Sequence, residues 1–301
     1  MDVMSCVTTP SRSIGDRTCL QLEYVEFLST FYHNGTDTGF PCPNELVEFI
    51  ICVNHLRAVS HSHSPSNGEY MDVDRHILDL IQKIMSFSPG LWIQRCSAGQ
   101  PRADVAGPAE DCLSTYYDFT VSGDRFTAVK EGGWITLECM LQAAVLLYAT
   151  GCLVLDRGMP ATARLSPTDS TQRPSVDVHV LRSAADEMLF NGFRRFFPTS
   201  RQDLWIAKFL FWPLFIAGME CCDGAESESK RELVTQALGD LAYYLGDLSA
   251  IDAVSFLRSL WQMEYDVWRN DAPGEKGYGT LQSRTWDHKV SCLREHSVFF
   301  I

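Results

Sequence analysis

The sequence predicts an all-α fold, a single helical domain of roughly 8–10 helices around one buried helix at residues 204–222. Three observations carry this. Apolar residues recur at three- and four-residue spacing in one segment after another. Nothing convincingly alternates with period two, the mark of a half-buried strand. Residues 204–222 are apolar on every side, so a helix made from them offers no face to water and belongs in the middle of something. A bilayer is the other burial site, and length disfavours it. The uncharged part, residues 209–219, spans roughly 17 Å at about 1.5 Å per residue, against roughly 30 Å for a bilayer core. Pro213 cannot donate to the preceding turn, which predicts a bend there.

In chain order, residues 1–17 carry Thr8, Thr9, Pro10, Ser11 and Ser13 and read as a flexible arm before the domain at 18–301. A first helix covers 18–32, with Leu20, Leu22, Val25, Phe27, Leu28 and Phe31 as its apolar positions. Asn44 caps a second helix whose stripe is Leu46, Val47, Ile50, Ile51, Val53 and Leu56. A third runs over 74–85, with Ile77, Leu80, Ile81 and Ile84 at helical spacing. Residues 99–108 form a linker, and 110–122 fit either a helix or a short extended piece.

The next strong element is 134–155. Its 17 residues from Cys139 through Leu155 are uncharged and sit at the edge of membrane-span length. With Gln142, Thr150 and Gly151 inside it, this stretch reads as a second buried helix rather than a membrane span. The Pro-, Thr- and Ser-rich stretch 156–175 is the largest internal loop. Residues 177–197 are helical with Val180, Leu181, Ala184, Met188, Leu189, Phe193 and Phe196 inward. Ser229 and Glu232 make a capping box ahead of a helix lined by Leu233, Val234, Ala237, Leu238, Leu241 and Leu245. Ser249 and Asp252 cap the following one, whose stripe is Ile251, Val254, Leu257, Trp261, Tyr265 and Trp268. Residues 282–301 read as a short helix and tail.

The net charge is −13 and the pI near 5.0, with Arg194–Arg195 and Lys230–Arg231 as the adjacent basic pairs. Phosphate backbones are bound by neutralising them with Lys and Arg, so direct DNA binding is not expected. None of the eleven cysteines shares the two-residue gap of a zinc knuckle. The opening residues lack the apolar core of a signal peptide. The expectation is reduced thiols in nucleus or cytoplasm, with no secretion.

Several stretches recur together: Pro43-Asn44-Glu45-Leu46-Val47 followed by Asn54-His55-Leu56-Arg57, then Phe87-Ser88-Pro89-Gly90-Leu91-Trp92, then Trp212-Pro213-Leu214-Phe215-Ile216-Ala217-Gly218. Arg231 and the segment 241–261, with Gly246 between two helices, complete the set. In order and spacing the set resembles the C-terminal helical regulatory domain of fungal binuclear zinc-cluster transcription factors, over roughly residues 18–270. Those factors carry six closely spaced N-terminal cysteines, whereas here only Cys6 and Cys19 precede residue 40. The resemblance therefore implies a regulatory protein lacking its own DNA reader, which acts by binding a small metabolite or a protein partner. Two alternatives stand beside it. One is an enzyme of natural-product biosynthesis recruited from this scaffold, such as a cyclase working by positioning a substrate in an apolar cavity. The other is an incomplete gene model of a zinc-cluster factor.

No residues stand out for cofactor, metal or nucleophilic chemistry. His61-Ser62-His63 has no thiol or carboxylate nearby in sequence, and no Gly-x-Ser-x-Gly elbow is present. The site expected is a pocket for a small hydrophobic metabolite between 134–155 and 204–222, lined by Trp134, Glu138, Tyr148, Trp212 and Met219. Glu138 is a lone ionisable group on an apolar helix, so it either pairs or lines a cavity; Arg57, Arg182 and Arg231 are its candidate partners.

Overall fold

A computed structural model describes residues 4–31, 42–62, 69–92, 127–157, 159, 177–197, 208–221, 225–246, 248–270 and 286–291. Among these residues there are nine α-helices of six residues or more, and no strand. We label them α1 (Gly15–Phe31), α2 (Asn44–Ser62), α3 (Glu69–Ser86), α4 (Thr127–Ala149), α5 (Val178–Phe196), α6 (Phe211–Glu220), α7 (Ala225–Leu245), α8 (Leu248–Asn270) and α9 (Trp286–Ser291). The all-helical expectation holds.

Two helices share the middle. α4 packs against α2, α3, α5 and α6, and continues without a break into a π-helical turn, Thr150–Leu155. Residues 136–155 are long and apolar enough to cross a membrane, but 89% of that window is buried inside the protein, so it is a core helix. α6 bridges α4 to the α7–α8 hairpin, and all nine residues from 211 to 219 are buried. Residues 204–207 and 222, also assigned to this helix from sequence, lie outside the described residues.

Pro213 stands in the first turn of α6 rather than in mid-helix. A 3-10 turn, Lys208–Leu210, leads into α6, and Pro213 is its third residue, where a backbone N–H has no intrahelical acceptor to lose. Gly218 permits close approach of α8. A Cβ there would lie 2.5 Å from Leu257 Cδ1, which is itself fully buried. Gly246, at φ +69°, is the left-handed residue that ends α7 and lets the chain turn into α8.

Several faces differ from the expected stripes. On α5 Val180 and Met188 are exposed, and the buried set is Val178, Ala185, Leu189, Phe190 and Phe193. On α8 Ile251 and Tyr265 face solvent, while Ala250, Ala253, Phe256, Leu257, Leu260 and Trp261 are inward. α7 starts at Ala225, so Ser229 and Glu232 lie inside the helix and not at its cap. Ser249 is likewise within the first turn of α8. The arm expected at residues 1–17 is packed where it is described. Two 3-10 turns, Met4–Thr8 and Ser11–Ser13, carry Cys6, Val7 and Ile14 with no solvent exposure.

Candidate functional site

α6 ends inside the protein, which creates a problem that the surrounding residues solve. The last carbonyls of a helix have no intrahelical donor, and buried without one they are costly. Here Trp261 Nε1 donates to the Gly218 carbonyl at 2.9 Å, and Lys289 Nζ donates to that of Met219 at 2.9 Å. Arg231 Nη2 donates to the Cys221 carbonyl at 2.9 Å, with its guanidinium over the Trp261 ring. Glu220 pairs with Arg182. Cations at a helix C-terminus also complement its dipole.

The π-helical turn at the end of α4 lies alongside. Arg182 Nη1 donates to the Thr150 hydroxyl at 2.8 Å and to the Leu147 carbonyl at 3.2 Å, where the helix changes pitch. Gly151 leaves room for a ring, since a Cβ there would meet Trp286 Cε3 at 3.2 Å.

Into the space between this turn, α2 and the N-terminal 3-10 turns reaches the short α9. Asp287 accepts from Arg57 Nη2 at 2.7 Å and Nε at 3.2 Å, and from Ser11 Oγ at 2.7 Å. Arg57, 1% exposed, also donates to the carbonyls of Cys6 (2.8 Å) and Thr9 (2.6 Å) and to the Tyr148 oxygen (3.1 Å). Tyr148 OH donates to Asn54 Oδ1 at 2.7 Å, and Asn54 Nδ2 to Gln21 Oε1 at 3.1 Å. Trp286 packs edge-on to Tyr148, ring centres 5.2 Å apart, and donates its indole N–H to the Val7 carbonyl at 2.8 Å. Asp156 accepts from the Trp286 backbone N–H at 2.7 Å. Burial raises the Asp156 carboxyl to about 7, against the opposing pull of the Trp286 and Asp287 amides.

The predicted pocket residues divide between two levels of α4. Tyr148 and Met219 border α9, through the Trp286 ring and through Lys289 on the Met219 carbonyl, and Trp212 meets the Tyr148 ring edge-on at 6.2 Å. Trp212 Nε1 is buried without a hydrogen-bond partner among the described residues. Glu138 lies ten residues before Tyr148, about 15 Å along the helix. Trp134 belongs to α4, but its side chain lies outside the described residues.

Glu138 has no solvent exposure, and neither carboxyl oxygen has a hydrogen-bond partner among the described residues. None of its three expected partners reaches it, because Arg57 is held by Asp287, Arg182 by Glu220 and Arg231 by a carbonyl. Burial, followed by the charge of Glu45, pushes its acid well above the usual carboxylate range. Burial thus favours its acid form, which can both donate and accept a hydrogen bond. The buried Cys42 thiol is also pushed up, by burial first and by Glu138 second.

Sequence reasoning found Arg57 and Tyr148 but missed Trp286, Asp287, Lys289 and Asp156. The one signal available for the hub was a pair of polar residues, Asn54 and Arg57, one turn apart on an otherwise apolar stripe. Among the described residues no group of three metal-ligating side chains forms.

Comparison with known proteins gives one result. The family model of the fungal specific transcription factor domain matches residues 1–301. No curated protein and no solved structure matches the chain. With a match over its whole length, the chain belongs to the fungal specific transcription factor domain family.

Proposed function

We propose that this chain is a transcription-factor-like regulatory protein that acts by binding a small metabolite or a protein partner through its helical core. Family membership supports the regulatory role. The observation that carries the binding step is Glu138. A buried acid with both oxygens unsatisfied costs stability, since each unmet polar group forfeits about 1–3 kcal/mol. Strongly perturbed acids in apolar surroundings concentrate at functional sites. The class of ligand that fits brings its own donor and acceptor into an apolar setting.

The test fuses the full chain to a heterologous DNA-binding module and reads a reporter gene as cell extracts or pathway intermediates are supplied. The wild-type chain is expected to give a metabolite-dependent signal that Glu138→Gln shifts at equal protein level. A reporter that responds to nothing, or that responds identically in both chains, removes Glu138 from the reading. The recruited-enzyme alternative has the same residue in its favour, because a buried carboxyl whose acid form is favoured is the kind of group that serves a cyclisation as proton donor. Its distinguishing outcome is turnover of a polyene or epoxide intermediate by purified chain, lost in Glu138→Gln.

A further inference from the structure

The short helix α9 has the features of a bound ligand more than those of a framework element. It is six residues long, well below the length at which an isolated helix is stable in water, so its side-chain contacts hold it. Beside Lys289 on the Met219 carbonyl and the Trp286 amide on Asp156, two side-chain contacts dominate. A carboxylate, Asp287, fills the donor fork of a fully buried guanidinium, and an adjoining indole, Trp286, is 2% exposed against Tyr148 and Gly151. The receiving surface belongs to α2, α4 with its π-helical turn, and the N-terminal turns, which are assembled by their own packing. Behind Tyr148 lies Trp212 of α6, whose indole N–H has no hydrogen-bond partner among the described residues.

We infer that the slot around Arg57, Tyr148 and Trp212 is a binding site for an aromatic carboxylate bearing a ring donor, and that Trp286 and Asp287 of α9 occupy it as an internal competitor. The chemistry follows from the contacts already made. The carboxylate of the incoming ligand replaces that of Asp287 on Arg57, whose Nε and Nη2 both donate to the one oxygen Oδ1. Its ring replaces Trp286 on the edge of Tyr148, and its ring donor takes the Val7 carbonyl. Release of α9 changes the surface that a partner protein meets. This inference rests on the regulatory reading but uses none of the residues near Glu138, so the two fail separately.

The probe is indole-3-propionate, with indole-3-propanamide as the uncharged control, titrated into the full-length chain by calorimetry. The tethered competitor acts at an effective concentration on the order of millimolar, so wild-type binding is weak. The Trp286→Ala/Asp287→Ala variant is expected to bind the acid at least tenfold more tightly and the amide not at all. Equal affinity in both chains, binding of acid and amide alike, or no binding in either overturns the proposal. Because the double variant removes buried groups and can unfold, hydrogen exchange on the wild-type chain supplies a second reading. The acid is expected to increase exchange at residues 286–291 while leaving 211–220 protected; unchanged exchange at 286–291 under saturating acid overturns the proposal. A reporter response that survives such a failure leaves the regulatory reading intact. Binding without any reporter response does the reverse.

Discussion

Arg57 is the residue on which the largest number of polar commitments converge. Its guanidinium serves an anion, two carbonyls and a phenol at once, so no single-headed cation reproduces it. Arg57→Met strands the carboxylate of Asp287 and is expected to cost about 3–5 kcal/mol, the usual penalty for breaking a buried pair. Arg57→Lys is expected to recover less than half of that, and urea denaturation of the three chains decides. If Lys restores wild-type stability, the fork geometry is irrelevant. Asp156 gives a pH signature. Its folded value of about 7 lies above the 3.8 of a free aspartate, so the folded state holds its proton more tightly. The associated stability is complete below about pH 4 and is lost as pH rises through about 7, each unit being worth about 1.4 kcal/mol. Asp156→Asn keeps an acceptor for the Trp286 amide and removes the titration. Its melting temperature is therefore expected to fall less than wild type between pH 5.5 and pH 8. Glu138 shifts in the same direction, so the comparison is made with Glu138 present in both chains.

Among the elements, α6 tests the packing most directly. Phe215 is fully buried against Phe256, their ring centres 5.4 Å apart. Phe215→Ala is expected to destabilise by about 3–5 kcal/mol, the typical cost of emptying such a site. A loss below about 1 kcal/mol in thermal or urea unfolding is incompatible with the burial described. α6 was legible in the sequence because residues 211–219 contain no polar side chain except the indole N–H of Trp212, and nothing but a core accommodates that. α8 was legible as a helix but not in its orientation. Its inward face uses Ala250 and Ala253, whose small side chains give a weak hydrophobic signal, while the larger Ile251 and Tyr265 point to solvent. Pro213 was read as a mid-helix bend, whereas among the described residues it stands in the first turn of α6, where no intrahelical hydrogen bond is lost. The hub was the least legible part. Periodicity relates residues within a helix, and nothing in a pattern ties Arg57 to a carboxylate 230 positions away.

For the whole molecule, the balance of −13 remains the strongest statement about nucleic acid. A purified chain is expected to give no sequence-dependent mobility shift with duplex DNA at about 150 mM salt, where contacts made through phosphates alone have weakened. A sequence-selective shift at that salt sets the expectation aside. The pairing of the first described turns with the last helix has a further consequence in time. Ser11 and Asp287 are 276 positions apart, and Arg57 and Asp287 are 230 apart. Chains are synthesised from the N-terminus at about 5–20 residues per second, and long loops close late. For on the order of ten to fifty seconds, then, α2 exists with its guanidinium and without its counter-ion. Until Asp287 is made, that guanidinium has no carboxylate from its own chain at this place, and only solvent or another anion can meet it.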